Sequence, residues 1–433
     1  MGGPALAAGD EAFDASVARL QAAKPGFAER QASLLVGRYD LSDRPSVERM
    51  SGGKPQQDGV RVRLAPGWTW ERLAELSPAE IRRRGLWPGG FLPLPHPHHE
   101  EGGMVFPQAL IDETKRQTGR DLTRFDLDFD LPAHLLPEFP PPLYLTTRPD
   151  LGDVSQGRLV TLDDYYAMFA PMLNPKQLEG LRLLVTPFPQ AQFNSTDERR
   201  SLRPHEGVSC FDCHANGHTD GATHLSGDTR PNEHRHRIDT PTLRGLFAQQ
   251  LFGSQRALHS VEDFTEFEQR GAYFDGDPVQ AQKKGVNVLE RGSQVHAMAE
   301  FQAILDFPPA PKLGVLGRLD PALASPAELR GERVFAGCGQ CMACHLPPAY
   351  TDQASHDLKA ERFYAPSVVN GAAESADGPI KTFPLRGIKD SPPYLHDGRL
   401  LTLADTVEYF NLVLGLKLRA GEKSDLLAFL RAL

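Results

Sequence analysis

The spacing of hydrophobic positions changes character near residue 160. From Thr161 onward, Leu162, Tyr165, Tyr166, Phe169 and Met172 recur at helical intervals. Asn174-Pro175 then opens a segment with Leu178, Leu181 and Val185 on one face. The end of the chain, Glu422 to Leu433, carries Leu426, Leu427, Phe429, Leu430 and Leu433 as one amphipathic stripe and predicts a terminal helix. Before residue 170 clear periods are rare. Trp70 to Arg84 reads as helical, with Ser77-Pro78 starting its second half. Pro93 to Glu101, which holds His96, His98 and His99, alternates prolines that fix extended backbone, so it predicts a solvated loop in preference to a metal site. Pro137 to Pro142 reads as a second extended connector. The pattern predicts a mostly α protein with little strand, preceded by a Pro/Gly-rich N-terminal region (1–170) of low regular structure.

Two segments repeat each other. Leu243-Arg244-Gly245 matches Leu385-Arg386-Gly387 at a separation of 142 residues, and the register pairs Phe252 with Tyr394, Val261 with Leu403 and Asp263 with Asp405. Upstream of each copy lies a C-x-x-C-H: Cys210-Phe211-Asp212-Cys213-His214 and Cys341-Met342-Ala343-Cys344-His345. In such a motif two thiols add across the haem vinyl groups, and the adjacent histidine turns its imidazole onto the iron. A four-cysteine zinc site is the alternative, but it leaves the histidine after each pair unexplained. The reading is two covalently attached haems c in two tandem cytochrome c-like domains, 171–325 and 326–433. Cys338, the fifth cysteine, reads as a loop thiol without a task.

Composition narrows the partners. A formal charge of −9 over 433 residues argues against nucleic acid and anionic membrane surfaces, and no apolar run reaches membrane-span length. The start, Met1-Gly2-Gly3-Pro4, shows no charged n-region followed by an apolar stretch. Since covalent haem is attached after export, the expectation is a periplasmic protein whose signal has been removed.

With both motifs, Pro384-Leu385-Arg386-Gly387, Pro392-Pro393-Tyr394-Leu395-His396-Asp397-Gly398 and the tail Leu427 to Leu433 in place, residues 171–433 resemble the bacterial diheme cytochrome c peroxidase and MauG superfamily. The resemblance implies reduction of H2O2 to water through high-valent haem iron, with electrons from a small one-electron donor. The first haem would be the peroxide-reacting one, with His214 proximal, and the second would hold electrons, with His345 proximal. It also implies a calcium ion between the haems, for which Asp239 and the carbonyls of Ser391 and Pro393 are the matching positions, and it allows a homodimer. The alternatives are a MauG-like oxidant of a protein or organic substrate, or a diheme electron carrier without turnover.

Several positions depart from the family. The methionine ligand of the second haem falls on Phe410, which makes its neighbour Tyr409 the first candidate sixth ligand and His396 the second. The switch histidine falls near Pro231, with His234 and His236 out of register, so the first iron is expected to be open. No tryptophan follows Trp87. Peroxide cleavage needs a base on the open side of the iron. Glu268 is the first candidate, Glu266 the second, and Arg270 a charge-stabilising partner. Among His218, His224, His234 and His236, at most one is expected to be a ligand.

Overall fold

A computed structural model describes residues 13–95, 104–122, 131–187, 208–221, 223–226, 236–270, 289–369, 372–373 and 378–433. The helices are α1 (Phe13–Arg38), α2 (Trp70–Ala74), α3 (Pro78–Arg83), α4 (Gln108–Thr118), α5 (Tyr165–Phe169), α6 (Pro175–Val185), α7 (Cys210–Cys213), α8 (Val261–Arg270), α9 (His296–Gln302), α10 (Pro326–Ala336), α11 (Leu403–Val413) and α12 (Ala420–Ala432). Described strand is confined to short antiparallel pairings, the largest joining Met104–Val105, Thr223–Ser226 and His236–Asp239. The helix-rich expectation matches.

Local sequence explains where the helices start. In α3 the Ser77 hydroxyl accepts from the Glu80 N–H while the Glu80 carboxylate accepts from the Ser77 N–H, and Pro78 occupies the first turn. Asn174 with Gln177 opens α6 in the same way, Ser325 with Glu328 opens α10, and Thr402 with Asp405 opens α11. In each half, the helix before the C-x-x-C-H crosses a later helix at a glycine. A Cβ on Gly180 of α6 would lie 2.0 Å from the Ala297 carbonyl oxygen of α9, and one on Gly331 of α10 would lie 1.9 Å from the Asp425 carbonyl oxygen of α12. Only glycine permits backbones this close.

The N-terminal region differs from the expectation of low regular structure. α1 runs for 26 residues. Its composition is rich in alanine and other good helix formers. The face it buries includes Gln31 and Arg38 beside Leu35, so an apolar period is absent from the sequence. Packing also ignores the boundary at 170. Leu35, Tyr39, Val62, Leu73, Ile81 and Phe91 share one core with Phe335, Leu400, Tyr409 and Phe429 of the second half. Leu143, Leu145, Val154 and Val160 share another with Leu181, Phe211, Met298 and Phe301 of the first. Polar ties reinforce this. The Tyr39 hydroxyl donates to the Arg399 carbonyl at 2.7 Å, and the Asp405 carboxylate accepts from the N–H groups of Arg61 and Val62 at 2.7 and 2.9 Å. Pro93, Leu94 and Pro95, read as the start of a solvated loop, are buried, and Arg38 donates to the Pro93 carbonyl at 2.6 Å. The histidines of that tract lie outside the described residues.

The repeat seen in the sequence recurs in the backbone. Phe252 bridges Leu258, and 142 residues later Tyr394 bridges Leu400.

Candidate haem sites

The first site forms around α7. Ser209 caps it: its N–H donates to the Asp212 carboxylate at 2.6 Å, and that carboxylate is gripped by Arg120, which follows α4, through both guanidinium nitrogens at 3.0 and 2.5 Å. Sequence reasoning missed this buried pair, because nothing near Arg120 marks its partner 92 residues away. Cys213 is buried and Cys210 half-buried. The next residue, His214, has Nδ1 2.9 Å from the Pro241 carbonyl. A carbonyl only accepts, so Nδ1 carries the proton and Nε2 has its lone pair available for a metal. Burial pushes this imidazole down to about 4, which keeps it neutral.

The second site repeats the arrangement. Cys341–Ala343 form a tight turn, and His345 Nδ1 lies 2.9 Å from the Tyr350 carbonyl. Burial lowers the His345 pKa as well. Cys341, Met342, Phe363, Leu385 and Phe410 border the core beside it. The four motif cysteines do not converge. Among the described residues, the one cluster of three cation-binding side chains is Cys344, Asp352 and His356, so the four-cysteine zinc alternative does not form.

Each motif thus presents two thiols and one oriented, neutral imidazole beside apolar side chains. This is the donor set that covalent haem c requires, and the residues fit it.

No protein-family model matches the chain. Among curated proteins, the methylamine utilization protein MauG of Methylorubrum extorquens is 34% identical over 142 residues, covering 31% of this chain and 36% of that protein. The MauG protein of Methylophilus methylotrophus is 26% identical over 298 residues, covering 61% and 85%. Cytochrome-c peroxidase IdrP2 of Denitromonas iodatirespirans is 29% identical over 140 residues, covering 24% and 38%. By these comparisons the chain is similar to proteins of the MauG and diheme cytochrome c peroxidase superfamily. It spans 36% and 38% of the length of the first and third of these relatives. One solved structure, a MauG-like protein associated with microbial copper homeostasis, is 21% identical with a TM-score of 0.43, over 60% of this chain and 89% of that one.

The acid-base candidates separate. Glu268 of α8 makes no hydrogen bond or ion pair among the described residues. Burial alone pushes its carboxyl up to about 7, and its charge acts on the Cys213 thiol of the first site. Thr265, one turn earlier on the same helix, accepts from the buried Gln302 amide of α9 at 3.0 Å. Glu266 turns the other way, into an exposed cluster in which Arg291 binds both Glu266 and Asp263. It is therefore corrected to a surface ion-pair residue. The Arg270 side chain lies outside the described residues.

Tyr409 is almost fully buried. Its ring lies edge-on to Phe91 at 5.2 Å and to Phe410 at 5.3 Å, with Trp87 at 5.9 Å. The last tryptophan therefore folds into the second half after all, stacked on Phe363 at 4.3 Å. The His396 carbonyl accepts from the Asp239 N–H at 3.0 Å, which brings Asp239 to the turn that follows Ser391 and Pro393. Next to this turn stands the buried guanidinium of Arg237, 3.6 Å from a Cβ position on Gly398.

His218 has both ring nitrogens engaged. Nε2 donates to the Asp390 carbonyl at 3.0 Å, and Nδ1 accepts from the Thr242 hydroxyl at 2.7 Å. It is a buried brace between the halves. The side chains of His224 and His236, and all of Pro231 and His234, lie outside the described residues. Cys338 is exposed, 3.8 Å from Glu422.

Proposed function

We propose that the chain is a haem-dependent peroxidase that carries two haems c and reduces H2O2 to two waters with two electrons and two protons. The observation that carries this reading is Glu268, a carboxylate without a partner among the described residues, beside the first haem motif and near neutral in pKa. When bound, the first haem supplies an iron position for peroxide and a route for electrons. Heterolysis also needs a group that takes the proton from the near oxygen and returns it to the leaving oxygen. Glu268 suits both transfers because burial has raised it into the range where either protonation state is accessible. His214 and His345 serve as the proximal ligands, each aimed by a main-chain carbonyl.

The remaining roles extend from the resemblance. A small one-electron donor delivers electrons through the second haem, and the protein works in the periplasm. No helix among the described residues is long and apolar enough to cross a membrane. Asp239 and the carbonyls of Ser391 and Pro393 take a calcium ion. The Asp239 carboxylate has the right chemistry for it, and the nearby Arg237 charge weakens the site. A second reading, a MauG-like oxidant of a protein or organic substrate, draws support from Phe410 at the methionine position with Tyr409 beside it.

The deciding experiment is H2O2 consumption by haem-loaded protein with a reduced one-electron donor, followed at both haem spectra. Rapid loss of peroxide with one water-forming turnover per two electrons supports the peroxidase. Loss of peroxide with a modified organic substrate moves the assignment to the oxidant. Slow loss with unchanged spectra leaves the electron carrier.

A further inference from the structure

The two halves meet through reciprocal contacts. The Lys381 N–H donates to the Ser254 carbonyl at 2.9 Å, and the Asp239 N–H donates to the His396 carbonyl at 3.0 Å. Lys381 and Asp239 are 142 residues apart, as are His396 and Ser254. Each half therefore lays a strand residue on the other half's turn.

The chemistry at the first of these turns is one-signed. Lys381 is buried, and its ammonium donates to Gln249 Oε1 at 3.0 Å and the Leu251 carbonyl at 2.7 Å. It lies 5.3 Å from the centre of the Phe252 ring and 5.6 Å from that of Phe383. A lysine has three N–H donors, so one is left over among the described residues. Burial pushes this lysine down to about 8, and the charge that acts on it is that of Arg256, of the same sign. Arg256 itself has φ +57°, where the second half has Gly398 at φ +70°. An arginine in this left-handed region costs free energy that glycine avoids. Among the described residues its Nε is buried without a hydrogen-bond partner. At the second turn, the space left by Gly398 is approached by Arg237. A guanidinium thus stands at each of the two equivalent turn positions, supplied once by the turn and once by the opposite half.

Two adjacent cations, one buried and one in a strained backbone conformation, with no carboxylate among the described residues acting on the lysine, suit an anion. We propose that Lys381 and Arg256 receive a haem propionate carboxylate at the junction between the two halves. The left-over ammonium donor and the Arg256 Nε–H supply its hydrogen bonds, and Gln249 and Leu251 hold the ammonium in place. The cations then favour the reduced iron of that haem, because a nearby positive charge stabilises the state with one more electron.

This inference rests on covalent haem, and haem content measured as the pyridine haemochrome separates failure of that premise from failure of the inference. The test is a spectroelectrochemical titration of haem-loaded wild type, Lys381→Met, Lys381→Arg and Arg256→Gln, with resonance Raman spectra of the propionate bending region. The Met and Gln variants are expected to lower the midpoint potential of the same haem, to shift its propionate bands and to leave the other haem unchanged. Lys381→Arg, which keeps the charge, is expected at the wild-type potential. The haem that responds identifies which carboxylate is held. Unchanged potentials with both haems attached, shifts falling on different haems in the two variants, or an Arg variant as displaced as the Met variant would each overturn it. Should Lys381→Met fail to fold, Arg256→Gln decides alone, because the Arg256 Nε has no hydrogen-bond partner to lose among the described residues.

Discussion

Arg244 and Asp390 form an ion pair at 3.2 Å in which both side chains are almost fully buried. Arg244 belongs to the first Leu-Arg-Gly and Asp390 to the turn after the second, so this pair fastens one half to the other. Arg244 also donates to the Pro142 carbonyl, and its guanidinium lies over the Tyr144 ring at 5.2 Å. Arg386, the repeat equivalent, is spent differently, on the carbonyl of Leu433 at 3.1 Å. The same three letters thus do two jobs, one between the halves and one tying down the C-terminus.

Arg244→Met should be strongly destabilising. Removing one partner of a buried pair leaves Asp390 charged and uncompensated, which costs about 3–5 kcal/mol. Chemical denaturation of the haem-loaded variant measures it. A loss below about 1 kcal/mol would mean the pair adds nothing to the junction.

Glu268 links activity and stability with opposite signs. As a base it acts ionised, so peroxide turnover should rise as pH climbs through about 7 and level off above it. Glu268→Gln should slow turnover by about 10²–10⁴-fold with both haems retained. For stability, the folded-state pKa lies above the unfolded one, so the native state binds the extra proton. Stability contributed by this group is present below the unfolded value of about 4.3 and is lost as pH rises to about 7. The Gln variant should therefore be more stable than wild type at pH 8 and lose that advantage near pH 4. A rate profile flat through pH 7, or unchanged turnover in the variant, removes Glu268 from the mechanism.

Phe91 tests whether the N-terminal region belongs to the second haem's core. Its ring is fully buried and contacts Trp70, Trp87 and Tyr409. Phe91→Ala should cost about 3–5 kcal/mol and perturb the second haem's spectrum while sparing the first. Equal disturbance of both haems would contradict the division of the two cores.

Much of the candidate site was legible because its chemistry is local. A C-x-x-C-H holds thiols and imidazole on one turn, and the Leu-Arg-Gly register led directly to the bridges Phe252–Leu258 and Tyr394–Leu400. Glu268 was found through the same register, and the structure separates it from Glu266 by helix face. What sequence could not show is long-range. Arg120 meets Asp212, and Trp87 reaches Tyr409, only once the chain has folded back. α1 escaped because its buried stripe runs through Gln31 and Arg38, whose polar ends hide the helical period.

At the second haem, the single phenol oxygen of Tyr409 decides the sixth ligand. Tyr409→Phe keeps the ring against Phe91, Trp87 and Phe410, so packing predicts a stability change under about 1.5 kcal/mol. If the phenol oxygen reaches the second iron, the substitution alters that haem's absorption spectrum and raises its reduction potential, because a phenolate ligand favours the oxidised metal. The first haem's spectrum stays as it was. The expected outcome is this one-sided change, read by difference spectra of the two haems poised at separate potentials. Identical spectra and potentials would make Tyr409 a packing residue and transfer the sixth-ligand assignment to His396, whose replacement by Ala is then the variant to examine.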